Sequence, residues 1–164
     1  MKAENRQLIE FIGLLAVVLS LLMVAYEIRQ SNNIAIVNSE FELRNNFTTI
    51  NEAVLTEPEL VEFLAKISTP GESLEGTDLI KAVSWTYRLM NIWLAAELAY
   101  NNGMSTEATY QNIFENIAHS MRDSSPEMRS VWRVSAESFP SLRDTQVMQR
   151  IAAELDKWPE AGRP

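Results

Sequence analysis

Glu115 and His119 come nearest to a reactive pair in this chain of 164 residues, and His119 is its single histidine. Their spacing makes E-x-x-x-H. Carboxylate-bridged di-iron bundles use two E-x-x-H motifs and two further glutamates. Here the spacing is one residue too long and the second histidine is missing. Glu57, Glu59 and Glu62 form an acidic cluster that a divalent cation would tolerate. Their place at a helix start accounts for them without a metal, because acids suit the positive end of the helix dipole. No serine stands in G-x-S-x-G, and one histidine leaves little for a triad. Neither phosphate-binding glycine pattern is present. The absence of cysteine excludes disulfides, thiolate zinc, iron–sulfur clusters and thiol nucleophiles, and says nothing about compartment. Asn46-Phe47-Thr48 matches a glycosylation sequon, a pattern common by chance. No catalytic residue, metal or cofactor is assigned, and a non-enzymatic protein is expected.

What remains is recognition by surface. The stretch "TDLIKAVSWTYRLMNIWLAAELAYNNG" carries Leu79, Ile80, Val83, Tyr87, Met90 and Leu94 on one helical face. A second face holds Trp85, Leu89, Ile92, Trp93 and Tyr100. Apolar surface on two sides suits the central helix of a bundle. It equally suits a helix that docks a partner, and on that reading Trp85, Arg88, Leu89, Trp93 and Tyr100 are the candidate interface. Arg88 lies three residues from Trp85, within reach of a cation–π contact.

Charge narrows the partners. The net charge is -8. Residues 1–39 balance, as do residues 116–164, whereas residues 40–115 hold four bases against twelve acids. An acidic body is repelled by nucleic acid and by anionic lipid heads, so no nucleic-acid partner is expected.

The elements that would position these residues begin with "GLLAVVLSLLMVAYEIRQSNN". Sixteen residues from Phe11 to Tyr26 carry no charge. As a helix, residues 8–28 span roughly 31 Å, the thickness of a hydrocarbon core. Glu10 and Phe11 mark one end, Tyr26 and Arg29 the other. A cleaved signal is disfavoured, because bulky residues follow the apolar run where small ones are needed. A soluble core helix is disfavoured too, since the remaining chain is short and polar for burying a helix apolar all round. A single transmembrane helix is expected, with the lipid bilayer as partner through residues 8–28. Lys2 and Arg6 flank one end and Arg29 and Arg44 the other, so basic residues alone do not orient it.

The span running into "YEIRQSNN", with a helical remainder, resembles a broad group of uncharacterised bacterial single-pass membrane proteins. Their span ends in a hydrophobic–Glu/Gln–Ile-Arg-Gln-Asn/Ser element. The likeness covers Leu8 to about Val37. It implies a cell (inner) membrane location and a domain of no assigned activity, with a lean to the cytoplasmic side from the basic residues that often follow the span in that group. Here they reduce to Arg29.

Beyond the span no period-2 run appears, and helix signals are plentiful. Ile36, Leu43, Phe47, Ile50 and Val54 continue the first helix, with a soft break expected at Ser31-Asn32-Asn33. Thr56 with Glu59 reads as a capping box for the next helix. "STPGESLEG" is a loop. Thr77 opens the aromatic helix, which Asn102-Gly103 closes. Ser105 or Thr106, then Ser125-Pro126, then Ser141 with Asp144 start three more. The expected architecture is all-α. It comprises a tail at 1–7, a transmembrane helix at 8–28, a compact bundle of five or six helices at 29–158 and a flexible tail at 159–164. The function expected is a membrane-anchored accessory, scaffold or interaction subunit with a protein partner or a second copy. The alternative is a bundle that senses or binds a small molecule.

Overall fold

The computed structural model of the chain describes residues 3–158, with side chains from Ile9 onward. Among them are six α-helices and no strand: α1 (Ala3–Thr56), α2 (Pro58–Ser68), α3 (Thr77–Asn101), α4 (Glu107–Asp123), α5 (Pro126–Glu137) and α6 (Gln146–Asp156). A short 3₁₀ turn, Pro140–Leu142, joins the last two. Residues 3–7 of the expected N-terminal tail are helical and continuous with α1. The expected tail at 159–164 lies outside the described residues.

Helix α1 is one rod of 54 residues, about 80 Å at the usual rise. It does not break at Ser31-Asn32-Asn33. Three residues of modest propensity cost roughly 2 kcal/mol together, and no glycine or proline adds to it. A helix already nucleated on both sides absorbs that cost. The first part of the rod is bare. Its most apolar window has mean hydropathy 2.4 and none of it is buried, so this helix is long and apolar enough to cross a membrane. Phe11 and Tyr26 are both largely exposed. The second part is amphipathic: Leu43 and Ile50 are buried and Phe47 packs against them.

Helices α2 and α3 pack on that second part, and the other three gather on α3. Helix α3 touches all the others: α5 and α4 most extensively, then α6, α1 and α2. This is the central helix that apolar residues on two faces require. Trp93 and Trp132 stack at its middle, with ring centroids 5.3 Å apart and 17° between planes. The indole N–H of Trp93 donates to Asn116 Oδ1 at 2.9 Å, so the buried ring leaves no polar atom unsatisfied. Met90, Ile117, Met121, Met128 and Ile151 close around them.

The punctuation follows local rules with two exceptions. Gly103 adopts φ 68° after α3, its N–H bonding to Tyr100 O and that of Met104 to Ala99 O, which satisfies the last carbonyls. Thr106 and Ser125 cap α4 and α5 through their hydroxyls. Thr56, however, does not cap α2. Helix α1 runs through it and its hydroxyl folds back on Glu52 O at 2.9 Å. Pro58 supplies the first position of α2 and forces Glu57 into an extended conformation. The start expected at Ser141 and Asp144 also moves. Pro140 nucleates the 3₁₀ turn there, and Thr145 caps α6.

Candidate functional site

The period of α3 divides the five residues proposed for a partner interface. Trp93 is fully buried and Leu89 nearly so; both belong to the core, not to a surface. Their side chains point into the bundle because α4, α5 and α6 cover that side of α3. Tyr100 is half-buried and stacks on Tyr110 at 4.4 Å, with its hydroxyl donating to the carboxylate of Glu107. It lies about 18 Å along the helix from Arg88 and shares no site with it. Trp85 is half-buried and Arg88 is exposed. These two do come together, on the wall of a cleft.

The cleft lies between α3 and the α1–α2 corner and measures about 320 Å³. Its apolar floor and rim are Leu60, Phe63, Ile80 and Trp85. Ile80 stands 68% exposed, a large aliphatic side chain facing water. Charge is arranged across it: Glu57 and Glu59 on one lip, Lys81 and Arg88 on the other. Glu59 and Lys81 face each other at 4.0 Å, a loose surface pair that contributes little to stability. Just beside the cleft, Lys66 of α2 grips Asp78 of α3 at 2.6 Å. That hydrogen bond holds the Asp78 carboxyl below its usual range and raises the Lys66 ammonium. The walls are therefore tied together, while the opening is left amphipathic. The cation–π contact expected of Arg88 with Trp85 is replaced elsewhere by Arg129 over Trp158 and Arg150 over Phe114.

Two carboxylates missed by sequence reasoning fix the frame behind the cleft. Glu97, on α3, is buried, and its two oxygens accept the N–H groups of Gln146 and Val147, each at 2.8 Å. These are orphan donors of the first turn of α6. Glu40, on α1, does the same for α4. One oxygen accepts from Thr106 N at 3.0 Å and from the Thr109 hydroxyl at 3.1 Å. Bonds from Thr106 hold the Glu40 carboxyl below its usual range. Near Glu97, burial and then its charge push the Tyr110 hydroxyl up to about 12. A signal for Glu97 did exist. It sits four residues after Trp93, an acid on the face of α3 that the pattern marks as core.

Glu115 and His119 lie exposed on α4. Glu57, Glu59 and Glu62 are exposed as well. Among the described residues no group of three or more histidines and carboxylates converges in a way that could hold a metal ion. A second concavity of about 550 Å³ lies where α3 faces α5, lined by Leu74, Leu79, Val83, Val131 and Val134 with Glu127 at its edge. At the other end of the molecule, Glu10 and Phe11 begin the apolar stretch of α1, and Tyr26 and Arg29 end it, about 28 Å apart from Glu10 to Arg29.

No family model, curated protein or solved structure matches the chain.

Proposed function

We propose that this is a non-enzymatic, membrane-anchored helical protein that serves as an accessory or scaffold subunit of a membrane complex. The bare part of α1 holds it in the cell membrane, and the bundle presents the α2–α3 cleft to a protein partner. The observation that carries this reading is the cleft itself. An exposed Ile80 beside Trp85, between acidic and basic lips, is the make-up of a docking groove: an apolar anchor point with charges that set register. A partner helix or loop with one large apolar side chain flanked by both charge signs would fit it. The cytoplasmic side is the placement favoured by the resemblance of the "EIRQSNN" element.

The test uses the full chain extracted in mild detergent and purified by a C-terminal tag. Ile80→Asp and Arg88→Glu change only exposed side chains and leave the melting temperature in place. The expected result is a partner at fixed stoichiometry with the natural sequence, lost from both variants. Retention of that partner by both variants would refute the cleft. A reporter fused to the C-terminus and assayed on each side of the membrane tests the orientation.

A second reading, binding of a small apolar molecule, draws on the concavity between α3 and α5. Its volume falls within the usual range for ligand sites, roughly 300–1,000 Å³. A ligand bound there would raise the melting temperature of the full chain. Val134→Asp, at an exposed lining position, would abolish that rise.

A further inference from the structure

Helix α1 carries one seam that crosses from the apolar stretch into water. Counting in alternating steps of three and four from Gly13 gives Ala16, Ser20, Met23, Glu27 and Gln30. The same count then reaches Ile34, Val37 and Phe41. This is the heptad rhythm of a coiled coil, in which the seam stays on one side of a gently supercoiled helix. The chemistry along it changes with the medium. Within the apolar stretch the seam is small for three layers, Gly13, Ala16 and Ser20, and then reaches Met23, with nothing near the position of a Cβ on Gly13. Small residues are what lipid-embedded helices use to approach closely. Beyond the stretch come the polar layers Glu27 and Gln30, and then a large apolar run, which is what drives association in water. There Ile34 is 53%, Val37 65% and Phe41 70% exposed.

Neither the bundle nor lipid covers this face. Leu43, Phe47 and Ile50 point α1 at the bundle. At 100° per residue the Ile34–Phe41 face lies about 145° round the helix from them. Lipid is out of reach: Ile34, Val37 and Phe41 stand about 9, 14 and 20 Å beyond Ile28, while a headgroup layer is about 5–8 Å deep.

We propose that α1 pairs in parallel with α1 of a second copy along this seam. The bilayer gives every copy the same direction and depth, so each layer meets its own counterpart, small on small in lipid and apolar on apolar in water. From residue 13 to 41 the seam is about 42 Å long. A strip one helix wide buries on the order of 400 Å² per partner, about 800 Å² in all, short of the roughly 1,000 Å² that a specific interface in water needs. The water-exposed half is therefore too small to pair alone, and the embedded half is needed to hold the copies together. Glu27 is the one charged seam position, and it faces its own copy across the pair. It weakens the pair, and Gln30 one layer on is placed to donate to it.

The chain has no cysteine, so single substitutions report without background. Each of Ile34→Cys, Val37→Cys and Phe41→Cys, in the full chain in its membrane, is expected to give a strong disulfide-linked dimer on oxidation. Asn32→Cys and Ala35→Cys, exposed and well round the helix from the seam, are expected to give little. Adding Glu27→Gln to Val37→Cys should raise the dimer fraction. Absence of dimer at all three seam positions, dimer strongest at positions 32 or 35, or a fall with Glu27→Gln would overturn the pairing. The cleft variant Ile80→Asp leaves the seam intact, so failure of the docking reading and failure of the pairing are separately visible.

Discussion

Removing the Glu97 carboxylate should release the start of α6 and cost the bundle a large part of its stability. The side chain is buried and makes two hydrogen bonds at 2.8 Å, to Gln146 N and Val147 N. A hydrogen bond to a charged group contributes roughly 1.5–3 kcal/mol, and losing the acceptor leaves buried donors unpaired. Glu97→Ala removes both bonds and opens a void between α3 and α6, so a loss of about 3–5 kcal/mol is expected. Glu97→Gln keeps one acceptor oxygen, turns the other position into a donor facing a donor, and should cost about half as much. For a domain of this size 3 kcal/mol corresponds to a fall of roughly 10 °C in melting temperature. The assay is thermal and urea unfolding of the full chain in detergent, followed by tryptophan fluorescence, since Trp93 and Trp132 sit in the core. Amide exchange adds the local readout: Gln146 and Val147 should lose protection first. A loss under 1 kcal/mol for Glu97→Ala, with both amides still protected, would refute the claim that Glu97 holds α6.

Three further outcomes follow from the same geometry. Glu40 has its carboxyl held below the ordinary range, so its contribution is present above the unfolded-state value and is lost as pH falls through the folded one; between about pH 6 and pH 3 the natural chain should lose stability more steeply than Glu40→Gln, as acid titration of unfolding will tell. Trp93→Ala should cost about 3–5 kcal/mol and abolish the near-ultraviolet circular dichroism of the stacked pair, whereas Arg88→Ala on the same helix should stay within about 0.5 kcal/mol. Gly103→Ala places a side chain at φ 68°, where L-residues are strained, and should lower stability by roughly 1 kcal/mol in the same unfolding assay.

Sequence pattern carries the architecture here because helices announce themselves locally. Gly103, Ser125-Pro126 and the apolar faces of α4 and α5 are read from spacing alone, and the structure places each at its expected boundary within a residue or two, whereas the start of α6 moves from Ser141 to Thr145. Thr56 shows where local rules yield: a threonine can cap or can continue a helix, and Pro58 two residues on decides which. The rod through Ser31-Asn32-Asn33 makes the same point, since propensity is a small term beside the helix on either side. The cleft was only half legible. Trp85, Leu89 and Trp93 share a helical stripe, and periodicity cannot say how far other helices wrap round it. Trp93 and Leu89 fall under α4, α5 and α6, while Trp85 reaches the rim. Glu40 and Glu97 were hidden for a different reason. Their partners are backbone N–H groups 66 and 49 residues away in sequence, a pairing no local pattern encodes.

The proposed insertion of the apolar part of α1 into a membrane underlies the other proposals, and fractionation of cells expressing the full chain tests it most directly. Membranes are washed with alkaline carbonate and then dissolved in mild detergent. The expected result is a protein that stays in the washed membrane pellet and is released only by detergent, and that moves out of the pellet when Val18→Arg and Leu21→Arg each add roughly 2.5–3.5 kcal/mol to the cost of insertion. A natural chain found in the soluble fraction, or stripped from the membrane by the alkaline wash, would contradict the account at its root.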